Sequence, residues 1–134
     1  MVQIGNELPE VDVPITATLI AGGAFATGDW NLVHHDHQAA LDAGAQDIFM
    51  NILTTNGLVG RYVTDWAGPN ARLTDVSIKL GASNFPGDTM RLTGKIEQVS
   101  EDGNTVTVAV AGMNDVGPHV TGTATLLLDG RKES

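Results

Sequence analysis

Ile52-Leu53-Thr54-Thr55-Asn56-Gly57-Leu58-Val59-Gly60-Arg61-Tyr62-Val63-Thr64-Asp65-Trp66 is the stretch on which the reading of the fold turns. Its apolar members Ile52, Leu53, Val59, Tyr62, Val63 and Trp66 recur at helical spacing, and Trp66-Ala67-Gly68-Pro69 supplies the stop. The helix so predicted is poor by intrinsic propensity. Thr54, Thr55, Gly57 and Gly60 all weaken it, each interior glycine by roughly 1 kcal/mol relative to alanine. Burial has to compensate. Gly57 and Gly60 would also let another backbone come close, which suits a helix wrapped by a sheet.

Downstream of the helix the pattern changes to alternation. Val76, Ile78 and Leu80 alternate with Ser77 and Lys79, and Met90, Leu92 and Ile96 with Arg91, Thr93, Lys95 and Glu97. Thr105 to Val110 and Thr121 to Leu128 complete a meander of about four strands. Turn formers separate them at Asn84-Phe85-Pro86-Gly87-Asp88, Ser100-Glu101-Asp102-Gly103-Asn104 and Asn114-Asp115-Val116-Gly117-Pro118. Upstream, Thr16 to Phe25 is β-branched and apolar around Gly22-Gly23 and reads as a strand. A polar loop from Ala26 to Asp36 follows. Asp36 can cap a short helix over His37 to Ala43 that Gly44 ends. One strand, a short and a long helix and then a run of strands describe an α+β layer, a hotdog-like antiparallel sheet covering one long central helix.

Composition narrows the function. The chain has 134 residues with 7 Lys+Arg against 16 Asp+Glu, a formal net charge of −9, and its 42% apolar and 17% charged content is that of a globular chain. We expect one domain over residues 1–134. There is no cysteine, which excludes disulfide frameworks, thiolate zinc sites and cysteine nucleophiles. The acidic balance and scattered basic residues argue against nucleic-acid binding. Met1 to Glu7 does not read as a secretory signal, and no apolar run approaches membrane-spanning length, so the expectation is a cytoplasmic protein with no membrane partner.

The chemistry sits in Gly28-Asp29-Trp30-Asn31-Leu32-Val33-His34. Asp29 and His34, five residues apart, would not share a helix face and would alternate on a strand, but a looped backbone can aim both at one point. A carboxylate and an imidazole converging on one water can remove its proton and return a proton to a product, which fits hydration or dehydration.

These residues resemble the motif of the MaoC-like, (R)-specific enoyl-CoA hydratases of the hotdog fold, Gly-Asp-x-Asn-Pro-aliphatic-His with a small residue six positions on. Gly28, Asp29, Asn31, Val33, His34 and Ala40 match; Leu32 stands where the family has proline. The stretches Asp47 to Leu53 and Arg61 to Pro69 are similar to the small MaoC-like subunit of actinobacterial steroid side-chain hydratases. The resemblance implies an enoyl-CoA thioester substrate carrying a steroid side chain. It implies a heteromer with a larger subunit that carries a second MaoC-like domain. It implies no cofactor, coenzyme A being part of the substrate. Asp29 would be general base on a water shared with His34, which would supply the proton to the α-carbon. A backbone N–H where the long helix starts, near Asn51 and Ile52, would hold the thioester oxygen, and Asn31 would fix the loop beside the substrate. The family more often has glycine where Asn51 stands.

Other readings of the same residues are plainer. Asp29 and Asn31 could be turn residues of their own loop. The chain could be a catalytically silent hotdog stabilising a partner, or a thioesterase in which the water attacks the thioester carbonyl. His34, His35, Asp36 and His37 lack a distant partner for a metal, so no metal site is expected, and His35 and His37 read as surface residues at a helix entry. Arg61, Arg72, Lys79 and Arg91 are candidates for coenzyme A phosphates or solvated surface. Trp30, Phe49 and Trp66 are candidates for an acyl pocket or for core.

Overall fold

The computed structural model describes residues 2–131. Met1, where the reading of the N-terminus begins, and residues 132–134 of the expected 1–134 domain lie outside them. In chain order the elements are β1 (Glu7–Pro14), α1 (Ala17–Ala26), a 3-10 turn (Leu32–His34), α2 (His37–Asp42), α3 (Ile52–Ala67), β2 (Arg72–Leu80), β3 (Thr89–Val99), β4 (Thr105–Met113) and β5 (Pro118–Leu127). The strands form one antiparallel sheet in the order β1-β3-β4-β5-β2.

The long helix stands where the periodicity puts it. Asn51 caps its start, accepting from the Thr54 backbone N–H at 3.0 Å, and Gly68 ends it at φ +92°, a left-handed conformation that glycine adopts without penalty. Its inward side chains Val59, Tyr62 and Val63 are buried with Val106, Val108 and Val110 of β4, which alternate with half-buried residues as a half-covered strand should. Gly94 on β3 leaves a flat spot over which the Tyr62 ring lies, and the Tyr62 hydroxyl continues on to donate to the Pro9 carbonyl at 2.7 Å.

Three expectations change. Thr16 to Phe25 is not a strand but α1, with Thr16 as its cap: the hydroxyl accepts from Leu19 N at 3.0 Å. Gly22-Gly23, which reads as a strand break, is a contact point instead. A Cβ on Gly23 would collide with the Thr54 hydroxyl and stand 2.8 Å from its methyl, so the close approach of α1 to α3 needs glycine there. The close approach of the sheet expected at Gly57 and Gly60 is not there: Gly57 faces open space and Gly60 only the Leu73 side chain at 3.4 Å. Second, β1 precedes α1. It is an edge strand bearing Pro9 and Pro14, residues confined to edges because they donate nothing to a ladder. Third, only β3, β4 and β5 form a meander. β2 crosses to pair with β5 at the far edge.

Candidate active site

The loop after α1 is built from its own polar side chains. Gly28 turns at φ +75°, and the Asp29 N–H reaches back to Ala24 O at 2.8 Å. Asp29 Oδ1 then accepts from Asn31 N at 3.1 Å, and Asn31 Oδ1 accepts from Val33 N at 3.3 Å, capping the 3-10 turn. These two contacts supply the restraint that a proline at position 32 would give. Asn31 is therefore engaged with its own turn.

The turn ends on His34, which is 7% exposed. Its Nδ1 lies 2.7 Å from the Phe49 carbonyl oxygen, and its Nε2 lies 3.3 Å from Asp29 Oδ2. Asp29 and His34 thus meet, and they do so at the wall of a cavity of about 290 Å³ that Phe49, Asn51, Ile52 and His119 also line. The start of α3 opens onto this cavity. Helix geometry leaves its first backbone N–H groups without intrahelical acceptors, and the aligned peptides add partial positive charge there. The Asp29 carboxyl is held below its ordinary value, first by the Asn51 amide that donates to it, then by the Asn31 N–H, with a smaller contribution from His34.

The other candidates scatter. His37 Nδ1 pairs with Asp47 at 2.8 Å on the surface, while half-buried His35 packs against Phe25 with ring centroids 5.0 Å apart and the planes tilted at 48°. The three histidines of the motif region thus turn to three different partners. Trp30 is 70% exposed against Phe25, Phe49 lines the cavity, and Trp66 packs on the core. Arg61 pairs with Asp65, and Arg91 with Asp12 and Glu10, all exposed.

Three groups at the site escaped the sequence. Thr27 accepts from Asn51 Nδ2 at 3.1 Å. His119, 1% exposed, bridges Ala82 O at 2.7 Å and the Thr55 hydroxyl at 2.8 Å, and burial depresses its pKa. Since a carbonyl only accepts, His119 Nδ1 carries the hydrogen and Nε2 receives the Thr55 hydroxyl.

A family model described as MaoC like domain matches residues 2–116. The chain belongs to the MaoC-like domain family. This MaoC-like chain is 43% identical over 126 residues to the 3-oxo-4,17-pregnadiene-20-carboxyl-CoA hydratase beta subunit of Mycobacterium tuberculosis, covering 94% of this chain and 96% of that protein. Its structure superposes with TM-score 0.91 and 42% identity on a chain of the ChsH1-ChsH2 complex from Mycobacterium tuberculosis, covering 95% of this chain and 98% of that one. It also superposes with TM-score 0.85 on the (R)-hydratase from A. caviae involved in PHA biosynthesis, at 18% identity over 94% and 96% of the two chains. The MaoC-like sheet and helix are thus the expected α+β hotdog fold. Among the described residues no helix is long and apolar enough to cross a membrane.

Proposed function

We propose that this chain is a subunit of an enoyl-CoA hydratase, with Asp29 and His34 working on a single water. The observation that carries the reading is their convergence: Asp29 Oδ2 and His34 Nε2 stand 3.3 Å apart at the cavity wall, beside the start of α3. With its Nδ1 hydrogen committed to Phe49 O, His34 has Nε2 to accept with, so both members of the pair can take a hydrogen from the same water. The water gives up one proton to the pair as its oxygen bonds to the β-carbon of the enoyl thioester. The pair returns that proton to the α-carbon, so that one water has added across the double bond and the dyad is restored. Charge passes meanwhile to the thioester oxygen, for which the Ile52 backbone N–H at the helix start is the donor. No cofactor enters the scheme; coenzyme A comes with the substrate.

The likeness to a steroid-thioester hydratase subunit supports a steroid side-chain substrate. A cavity of about 290 Å³ is at the small end for ligand sites, roughly 300–1,000 Å³. A steroid thioester needs more wall than this chain supplies, which favours a heteromer with a larger subunit bearing a second MaoC-like domain. Of the basic residues weighed for the coenzyme A phosphates, Arg61 and Arg91 pair with exposed carboxylates while Arg72 and Lys79 lie on β2, and the partner can supply further positive groups.

The test is hydration of a steroid enoyl-CoA by the reconstituted complex. Asp29→Asn and His34→Ala should each lower kcat by about 10²–10⁴-fold. Normal rates with either variant would place the chemistry in the partner, and release of free thiol with the double bond intact would make the complex a thioesterase.

A further inference from the structure

We propose that Asn51 is a positioning residue whose amide starts α3 with one end and aims the Asp29 carboxylate with the other. The inference rests on the reading of Asp29 as the base. Asn51 is 3% exposed, and every hydrogen-bonding capacity of its amide is used. Oδ1 accepts from the Thr54 backbone N–H at 3.0 Å and from the Thr54 hydroxyl at 2.5 Å. Because a backbone N–H can only donate, this end of the amide is the oxygen, and the other is necessarily Nδ2. Its two hydrogens go to Thr27 Oγ1 and to Asp29 Oδ2, each at 3.1 Å.

Both outer partners are themselves fixed. The Thr27 hydroxyl donates to the Gly23 carbonyl at 2.8 Å, leaving a lone pair for Asn51. Thr54 lies against Gly23, where no Cβ intrudes. The amide cannot rotate without breaking the helix cap. On the carboxylate, Asn31 N–H occupies Oδ1 and Asn51 occupies one side of Oδ2, so the remaining side of Oδ2 is the one turned toward His34 Nε2. The same donor favours the ionised carboxylate that a base requires. No other residue does both jobs: aspartate caps but offers no hydrogen, and serine caps but is too short to reach Asp29.

That division supplies the experiment. Serine caps a helix as well as asparagine, so Asn51→Ser should keep the start of α3 and lose only the two Nδ2 bonds, melting a few degrees below the parent chain, whereas Asn51→Asp sets a buried carboxylate against Asp29 and should melt lower still. Titration of the Asp29 carboxyl carbon by NMR on the full chain should show its pKa moved up toward the ordinary carboxylate range in Asn51→Ser and further up in Asn51→Asp, where two carboxylates face each other. In the reconstituted complex, the acidic limb of the rate profile should move to higher pH by the same amount. Its kcat should fall on the order of tenfold while KM holds within about twofold, as for lost alignment at the reacting centre. An Asp29 titration unmoved by Asn51→Ser overturns the proposal, as does a moved titration with an unmoved rate profile in a complex that Asp29→Asn inactivates. Full hydration by the Asp29→Asn complex would remove the reading of Asp29 as base, while the NMR titration still decides whether Asn51 holds it.

Discussion

His34 Nδ1 stands 2.7 Å from the Phe49 carbonyl oxygen, and this one contact settles which ring nitrogen faces Asp29. A carbonyl oxygen accepts and never donates, so Nδ1 carries the hydrogen in the neutral ring and Nε2 presents its lone pair toward the cavity. ¹⁵N spectra of the chain at alkaline pH should therefore show His34 in the Nδ1–H form, opposite to the Nε2–H tautomer that free imidazole side chains prefer. An Nε2–H ring would leave the pair unable to take both hydrogens of one water.

His119 makes stability depend on pH near neutrality. Burial lowers its pKa below the ordinary histidine value of 6.5, so the unfolded chain takes up a proton that the folded chain refuses. Its contribution is complete above pH 6.5 and is lost as the pH falls from 6.5 toward the depressed folded value. The thermal midpoint should decline over that interval, and less so in His119→Gln. Asp29 and Asp47 act further down the scale. Their lowered pKa values add stability that is present above 3.8 and is lost as the pH falls through the folded values.

Two glycine substitutions should act in opposite directions. Gly23→Ala drives a methyl into Thr54 and should cost about 1–3 kcal/mol, seen as a lower urea midpoint. Gly57→Ala meets nothing within 4 Å and fills an exposed helical position, so it should stabilise by about 1 kcal/mol. Combining Gly23→Ala with Thr54→Ala should recover part of the first loss, because the obstructing side chain is then gone.

Tyr62 ties the edge strand to the central helix through its bond to Pro9 O. Tyr62→Phe keeps the ring on Gly94 and removes only the hydroxyl, at a cost of about 1 kcal/mol. Amide exchange should rise in β1 and not in β4 or β5, since the strand loses a tether while its ladder to β3 remains.

What could be read from the residues followed from short-range chemistry. The period of α3, the cap at Asp36, the alternation of β2 to β5 and the meeting of Asp29 with His34 through a loop all lie within spans that local geometry governs. α1 was not legible as a helix and read as a strand. Its window from Ala17 to Ala26 is apolar nearly all round, so no face announces itself, and its glycine pair imitates a break; the contact that explains Gly23 is with Thr54, far along the chain. β1 was hidden by its prolines and acids, which an edge strand tolerates because only one neighbour needs its ladder. At the site, the Asn51 bonds to Asp29 and Thr27 span 22 and 24 residues and the His119 bond to Thr55 spans 64. Spacing along a sequence carries no signal at such distances.

The saturated Asn51 amide has a thermal corollary. Helices unravel from their ends, and the first turn of α3 cannot unravel without releasing the side chain that orients the carboxylate. Under the proposed hydration, turnover depends on that turn staying wound, so its loss on heating should come no later than the melting of the fold. The helix cap and the carboxylate share a single joint, so a change that loosens that first turn is expected to be felt at Asp29 as well.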